Sequence, residues 1–337
     1  MATIRDVARR AGVSAASVSR VLKNDTTFSV SQKTRERILE AGYNKCFEYS
    51  AIQGTRGTIG VMLLYGEEEE VEDKFYQIIR VNIKMELEKN GFKVKEVFES
   101  MLDANASKIS DYQGLIFVGY STLWYQKKVF RQAVLDSGLP VVCADFHLKD
   151  GSLTADCVIN DFKQAVKKVI NIFLKKGFDS IGYMGTYGLE ANGKIHRDER
   201  FLYFRQIMKS LGKYDEKNIY LCPSNHTQFG YELGKEIIRK GRLPRAVFVE
   251  NDTMAIGFLK ALKEEKIFVP GDVAIVGCND DQVASFVTPG LSTVKLHNDL
   301  VGMMAAKTLM ECLYTKREQG LKIIVPNQLI LRESCPE

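Results

Sequence analysis

Apolar residues recur at helical spacing along the first stretch of the chain. Ile4, Val7, Ala8 and Ala11 stand at i, i+3, i+4 and i+7, one face of a short helix. Thr3 can cap it, with Asp6 three residues on, and Gly12 can take the left-handed turn that ends it. Ser14 then caps a second helix whose apolar stripe is Val18, Val21 and Leu22. Two short helices joined by a tight Gly-Val-Ser turn make a helix-turn-helix, whose second helix offers its first residues to a DNA major groove. A third helix is expected from Ser31, through Ile38 and Leu39, to close a small core against Val7 and Val21.

From Thr58 the pattern changes. Short runs rich in Val and Ile appear at Ile59–Leu64, Leu115–Val118, Val141–Ala144, Ile181–Met184, Ala246–Val249 and Val273–Val276. Each is followed by helical periodicity, as in Ile78–Leu87, Val166–Leu174, Phe229–Ile238 and Met254–Leu262. Strands alternating with helices predict parallel sheets covered on both faces. Two such sets, split near Asn160-Asp161, predict an α/β core of two doubly wound lobes. The acidic run Glu67–Asp73 follows the first core strand and reads as a solvated loop, although it lies at a strand end where open sheets bind ligands.

Charge sharpens this division. Residues 1–58 hold ten Lys/Arg against five Asp/Glu, and the whole chain is +5, so the remainder is neutral. A basic module on a neutral body is the footprint of a nucleic-acid binder. The seven cysteines have no Cys-x-x-Cys spacing and read as free thiols in a reducing cytoplasm. The four histidines are not at metal-ligand spacings, and no apolar run has membrane length. The first helix follows the initial Met at once, which leaves no room for an export signal. Gly188-x-x-x-x-Gly193-Lys194 imitates a phosphate loop, but Ile195 stands where a Ser or Thr must hold magnesium. No catalytic constellation stands out, and no cofactor is implied.

Polar residues at predicted strand ends suggest a site for a hydroxyl-rich ligand. Asp145 ends Val141–Ala144, Asn251-Asp252 ends Ala246–Val249, and Asn279-Asp280 ends Val273–Val276. Helix capping is the competing reading of each, above all of Asp252.

Ile4-x-Asp6-Val7-Ala8-x-x-Ala11-Gly12-Val13-Ser14, Ser17-Val18-Ser19-Arg20-Val21-Leu22 and Val30-Ser31-x-Lys33-Thr34-Arg35 resemble the headpiece of the lactose-repressor/galactose-repressor family of bacterial transcription regulators. The resemblance continues through Asn251-Asp252-x-Met254-Ala255-x-Gly257, Val276-Gly277-Cys278-Asn279-Asp280, Arg200-Phe201-Leu202-Tyr203-Phe204 and Pro289-x-Leu291-Ser292-Thr293-Val294. It implies a headpiece over 1–45, a hinge or linker over 46–58, and a core over 59–337 built like the periplasmic sugar-binding proteins. The chain would cross between lobes near 160, 290 and 322, giving one lobe of 59–160 and 291–322 and another of 161–290 and 323–337.

The resemblance also implies operator contacts at Thr3, Ser14, Ala15, Ala16, Ser17, Ser19, Arg20, Asn24, Ser31 and Thr34. Ala51 or Ile52 would be the minor-groove wedge of the hinge, although the usual Pro-Asn opening and Ala-Arg-x-Leu core are missing there. Effector contacts are implied at Arg200, Asn251 and Asn279, with Asp145 and the stacking ring of Phe75 on the first lobe. Asn279 replaces the family's first Asp of the V-G-x-D-D pattern, and Tyr203 replaces its Gly after Arg200. Asp145-Phe146-His147 and Val325-Pro326-x-x-Leu329-x-Leu331-Arg332 are most similar to repressors of β-galactosidase operons. A galactoside inducer, operator DNA and a homodimer without a tetramerising leucine tail are the expected partners.

Overall fold

The structure, a computed structural model, describes residues 8–9, 11–22, 30–31, 33–34, 37–38, 56–148, 151–189 and 195–336. Thr3, Asn24, Ala51 and Ile52 lie outside them. The N-terminal unit contains α1 (Ala15–Leu22). Gly12 takes φ +61° and Val13 N–H donates to Ala8 O at 3.0 Å, so the left-handed turn closes the preceding helix as its glycine requires. Ser14 Oγ accepts Ser17 N–H at 3.1 Å and caps α1. Ser31 Oγ accepts Thr34 N–H at 3.2 Å in the same way. Ala8, Ala11, Val18, Val21 and Ile38 form one buried cluster.

The larger unit opens with β1 (Thr58–Leu64), α2 (Glu69–Glu72) and α3 (Phe75–Lys89). It continues through β2 (Lys93–Phe98), β3 (Gly114–Gly119), α4 (Ser121–Gln126), α5 (Lys128–Ser137), β4 (Val141–Ala144) and β5 (Asp156–Asn160). The second lobe holds α6 (Phe162–Lys175), β6 (Ile181–Leu189), β7 (Ile195–Arg197), α7 (Glu199–Ser210) and β8 (Ile219–Cys222). It is completed by α8 (Thr227–Arg239), β9 (Ala246–Val249), α9 (Asp252–Glu264), β10 (Ala274–Asn279) and β11 (Ser292–Lys295). The chain returns for α10 (Asn298–Thr315) and β12 (Lys322–Val325), then ends on β13 (Gln328–Ile330).

The first sheet runs β12-β5-β4-β3-β1-β2, with every pairing parallel. The second runs β13-β11-β10-β9-β6-β7, with β8 alongside β6. Its β13 and β7 are antiparallel to their neighbours. Every residue of β3, β4, β9 and β10 is buried, which is why these strands read as unbroken apolar runs. The edge strand β2 (KVKEVF) alternates with charge and gave no such signal. The expected α/β class and doubly wound lobes are present, with strand C-termini from both sheets meeting at one cleft.

Two crossings fall later than 290 and 322. Ser292–Lys295 pairs with β10, so the second crossing follows Lys295; Lys322–Val325 pairs with β5, so the third follows Val325. The polar side chains of β11 explain the first shift. Thr293 donates to Asp252 at 2.6 Å, and Ser292 Oγ donates to Arg332 O at 3.0 Å, so both are anchored in the second lobe. The acidic run also differs from a solvated loop. Its centre is helical, and Glu70 accepts from Tyr65 Oη at 2.6 Å and from Arg80 Nη2 at 2.6 Å. Gly188 lies within β6 and pairs with His196. Residues 190–194, the remainder of that imitation phosphate loop beyond β6, lie outside the described residues.

Candidate functional site

The second lobe contributes a cleft rim built on Arg200, in the first turn of α7. Asp198 caps that helix, accepting Arg200 N–H at 2.7 Å, and also receives Nε at 2.7 Å and Nη2 at 3.0 Å. Nη1 donates to Glu250 O at 2.9 Å, and the guanidinium lies 4.9 Å from the ring centre of Phe162. Glu250 is 2% exposed. It accepts Thr186 N–H at 2.8 Å, Thr186 Oγ1 at 2.7 Å and Tyr183 Oη at 3.1 Å. Burial works against the guanidinium charge, but Asp198 and Glu250 outweigh it and hold the Arg200 pKa above its ordinary value. Burial and the nearby Asp198 raise that of Glu250. An arginine held so firmly presents its remaining N–H groups in a fixed direction.

Asn251 caps α9 through Oδ1, which accepts Met254 N–H at 2.9 Å, leaving its amide nitrogen to reach into the cleft. Asn279, the last residue of β10, has φ 122°, and Asp280 has φ 60°. Left-handed backbone at consecutive non-glycine residues costs energy and marks a turn held by its surroundings. Asp252 does the holding. It is fully buried, accepts Asp281 N–H at 2.8 Å and the Thr293 hydroxyl, and burial, with Asp281 close by, pushes its carboxyl up to about 8. A Cβ at Gly277 would come within 2.2 Å of Asp252 Oδ1, so this strand position must be glycine. The turn sends its two side chains apart. Asp280 accepts from Arg332 Nη2 at 2.6 Å, whereas Asn279 faces the first lobe. The Asn279 side-chain oxygen, Oδ1, is buried and has no hydrogen-bond partner among the described residues.

The first lobe supplies the facing rim. Asp145 follows β4 at φ 71°, and its N–H donates to Val158 O at 2.7 Å. Its carboxylate accepts from Asn160 Nδ2 at 2.9 Å, and the same amide donates to Asn298 at 3.0 Å. Burial pushes Asp145 up to about 7, moderated by Asn160 and by Arg200 across the cleft. Tyr76 stacks on Tyr65 at 4.8 Å and meets Phe75 and Tyr120 edge-on at 5.1 and 5.3 Å. Tyr120 Oη donates to Glu69 at 2.8 Å. Phe75, expected as the stacking ring, is buried, whereas Tyr76 beside it is only partly so.

Asp145, Arg200, Asn251 and Asn279 therefore gather at one cleft. Asp73, Tyr76, Asn160, Asp198 and Glu250 join them and escaped the sequence reading. Glu250 and Asp198 had a faint signal in their places beside Asn251 and Arg200. Asp73 was hidden in an acidic run that resembles ordinary solvated surface. No grouping among the described residues has the makings of a metal site.

In the N-terminal unit, Ser14, Ala15, Ala16 and Arg20 are exposed along the start and outer face of α1, with Ser17 and Ser19 partly so. Ser31 is exposed and Thr34 partly buried at the next cap. The apolar side of α1, Val18 and Val21, is buried, so the polar face is the one turned outward.

Comparison with known proteins agrees with both units. Residues 3–43 match the model for bacterial regulatory proteins of the lacI family, and 170–335 match a periplasmic binding protein-like domain. The chain is 30% identical over 339 residues to the HTH-type transcriptional regulator GalR of Lacticaseibacillus casei, covering 99% of each. It is 31% identical over 342 residues to GalR of Streptococcus thermophilus, again covering 99% of each. The chain belongs to the lacI family: it is a DNA-binding transcription regulator, and the members of that family are not enzymes. Among solved structures, the fold is similar to a transcriptional regulator CelR–cellobiose complex, with TM-score 0.71, 21% identity and coverage of 99% and 100% of the two chains. It is also similar to a lac repressor dimer bound to operator and the anti-inducer ONPF, with TM-score 0.69, 20% identity and coverage of 100% and 99%. No described helix is long and apolar enough to cross a membrane.

Proposed function

We propose that this regulator is a repressor whose operator affinity is controlled by a neutral sugar of the galactoside class, bound between the two core lobes. The observation that carries the reading is the buried side-chain oxygen of Asn279, without a hydrogen-bond partner among the described residues, in a cleft shared with Asn251, Arg200, Asp145 and Tyr76. These are the planar hydrogen-bonding groups and the ring that a sugar requires. Asp73, Asp145, Asp198, Glu250 and Asp281 crowd the same cleft, and Arg200 is already engaged by two of them. A phosphate or carboxylate on the ligand would meet those charges, whereas hydroxyls find acceptors in them. The similarity of Asp145-Phe146-His147 and Val325-Pro326-x-x-Leu329-x-Leu331-Arg332 to repressors of β-galactosidase operons supports a galactoside. Calorimetry with lactose, galactose, allolactose, glucose and galactose 6-phosphate tests the choice. Binding of a galactoside is expected, and tighter binding of the phosphorylated sugar contradicts it.

Operator reading is assigned to the exposed face of α1, with Arg20 as the guanine reader. Arg20→Ala should cost about 1–3 kcal/mol on operator and much less on random DNA. Equal losses in fluorescence anisotropy would leave Arg20 with phosphate contacts only. A homodimer is assigned to the core. Ile78, Val81 and Met85 lie on one stripe of α3 and remain exposed, an apolar face that suits a second copy.

A further inference from the structure

We propose that Asp73 is an internal clasp that closes the two lobes before any sugar arrives. The proposal depends on the sugar reading only for its last experimental arm. Asp73 ends the acidic run of the first lobe. Its Oδ1 accepts Phe75 N–H at 2.9 Å, which ties it to the first turn of α3 and aims Oδ2 across the cleft. Oδ2 accepts from Asn251 Nδ2 at 2.9 Å, and Asn279 Nδ2 lies 3.5 Å away. Asn251 is aimed with equal firmness, because its Oδ1 is spent on Met254 N–H at the start of α9.

Two helix N-termini, of α3 and α9, are thus joined through the side chains that cap them. Each N-terminus carries a partial positive charge, and the single Asp73 carboxylate serves both. Its bonds to the amides are charge-assisted. Asp281 opposes them: burial and the nearby Asp73 push its carboxyl up to about 7. The clasp is therefore a contact with an attractive and a repulsive side, suited to opening and closing.

The consequence follows from linkage. A ligand that touches both lobes binds the closed form, and its apparent affinity is reduced in proportion when only a fraction of molecules is already closed. A protein that closes itself spares the sugar that cost.

The test uses the full-length protein. Asp73→Asn is nearly isosteric and keeps an acceptor for Phe75 N–H, but it sets an amide donor against the Asn251 amide. Small-angle X-ray scattering without sugar should show a larger radius of gyration than wild type. Asn251→Asp keeps the α9 cap and places two carboxylates face to face, so it should open the protein as well. Combining Asp73→Asn with Asn251→Asp restores one donor–acceptor pair, and the double variant should be more compact than either single one. Equal dimensions for wild type and both single variants, or a double variant as open as the singles, overturns the clasp. These arms stand whether or not any sugar binds. In the last arm, galactose and lactose should bind Asp73→Asn about tenfold more weakly, equivalent to about 1.4 kcal/mol. Tighter binding would make Asp73 a competitor of the sugar and overturn the proposal.

Discussion

The two rims of the cleft are built on opposite principles. On the second lobe, a buried cation and two carboxylates compensate one another: Arg200 is held by Asp198 and approaches Glu250, which Thr186 and Tyr183 hold in turn. On the first lobe, amides meet the acids: Asn160 on Asp145, and Asn251 and Asn279 reaching across to Asp73. The first arrangement is rigid, because each member is held by several hydrogen bonds and its removal leaves buried polar groups without their partners. The second rests on single hydrogen bonds that can form and break as the lobes close and open. One lobe therefore presents a fixed template, and the other carries the groups that respond.

The largest expected effect tests the rigid rim. Glu250→Ala should leave the Thr186 N–H, the Thr186 hydroxyl and the Tyr183 Oη without their buried acceptor and Arg200 with Asp198 alone, lowering stability by about 3–5 kcal/mol in urea denaturation. A loss of less than about 1 kcal/mol would place Glu250 outside the framework and break the contrast. A smaller effect sharpens the other side. The Asp145 carboxyl, held near 7 in the fold against its ordinary value near 4, binds its proton more tightly when folded. Its stabilising contribution is complete below about pH 4 and is lost as pH rises through about 7. Asp252 and Asp281, pushed up to about 8 and about 7, act with the same sign. The melting temperature should fall between pH 5 and pH 8, and Asp145→Asn should flatten part of that fall. An unchanged profile in Asp145→Asn would show that Asp145 titrates normally.

The same contrast explains what the sequence revealed. Residues whose role follows from standing at the end of a buried parallel strand were legible: Asp145 after β4, Asn251 after β9, Asn279 closing β10. The apolar run announces the strand, and topology fixes what its end can face. Helix caps were legible for a similar local reason, as at Ser14 and Ser31. Asp73 and Tyr76 were not, because tertiary packing sets their role. The same acidic letters could equally have stayed in solvent, and Phe75 outranks Tyr76 on apolarity alone. Asn160 and Glu250 were missed because a polar residue buried at a strand end gives no sign of its partner. The crossing expected near 290 was displaced because β11 is anchored by hydroxyls, which carry no apolar signal.

In the proposed function, sugar bound at this cleft governs operator binding. Asn279→Gly tests it most directly. Glycine accepts φ 122° without strain, the lost side-chain oxygen has no partner among the described residues, and the lost amide leaves Asp73 its shorter bond to Asn251, so the fold and the α1 surface should be untouched. Operator selected by the protein from random-sequence DNA is labelled, bound by wild type and by Asn279→Gly, and titrated with lactose, galactose and allolactose while anisotropy is followed. Equal operator affinity without sugar is expected, with release of wild type by a galactoside and release of the variant only at tenfold more sugar or beyond, a loss of about 1.4 kcal/mol or more. Release of both proteins at the same sugar concentration would contradict it.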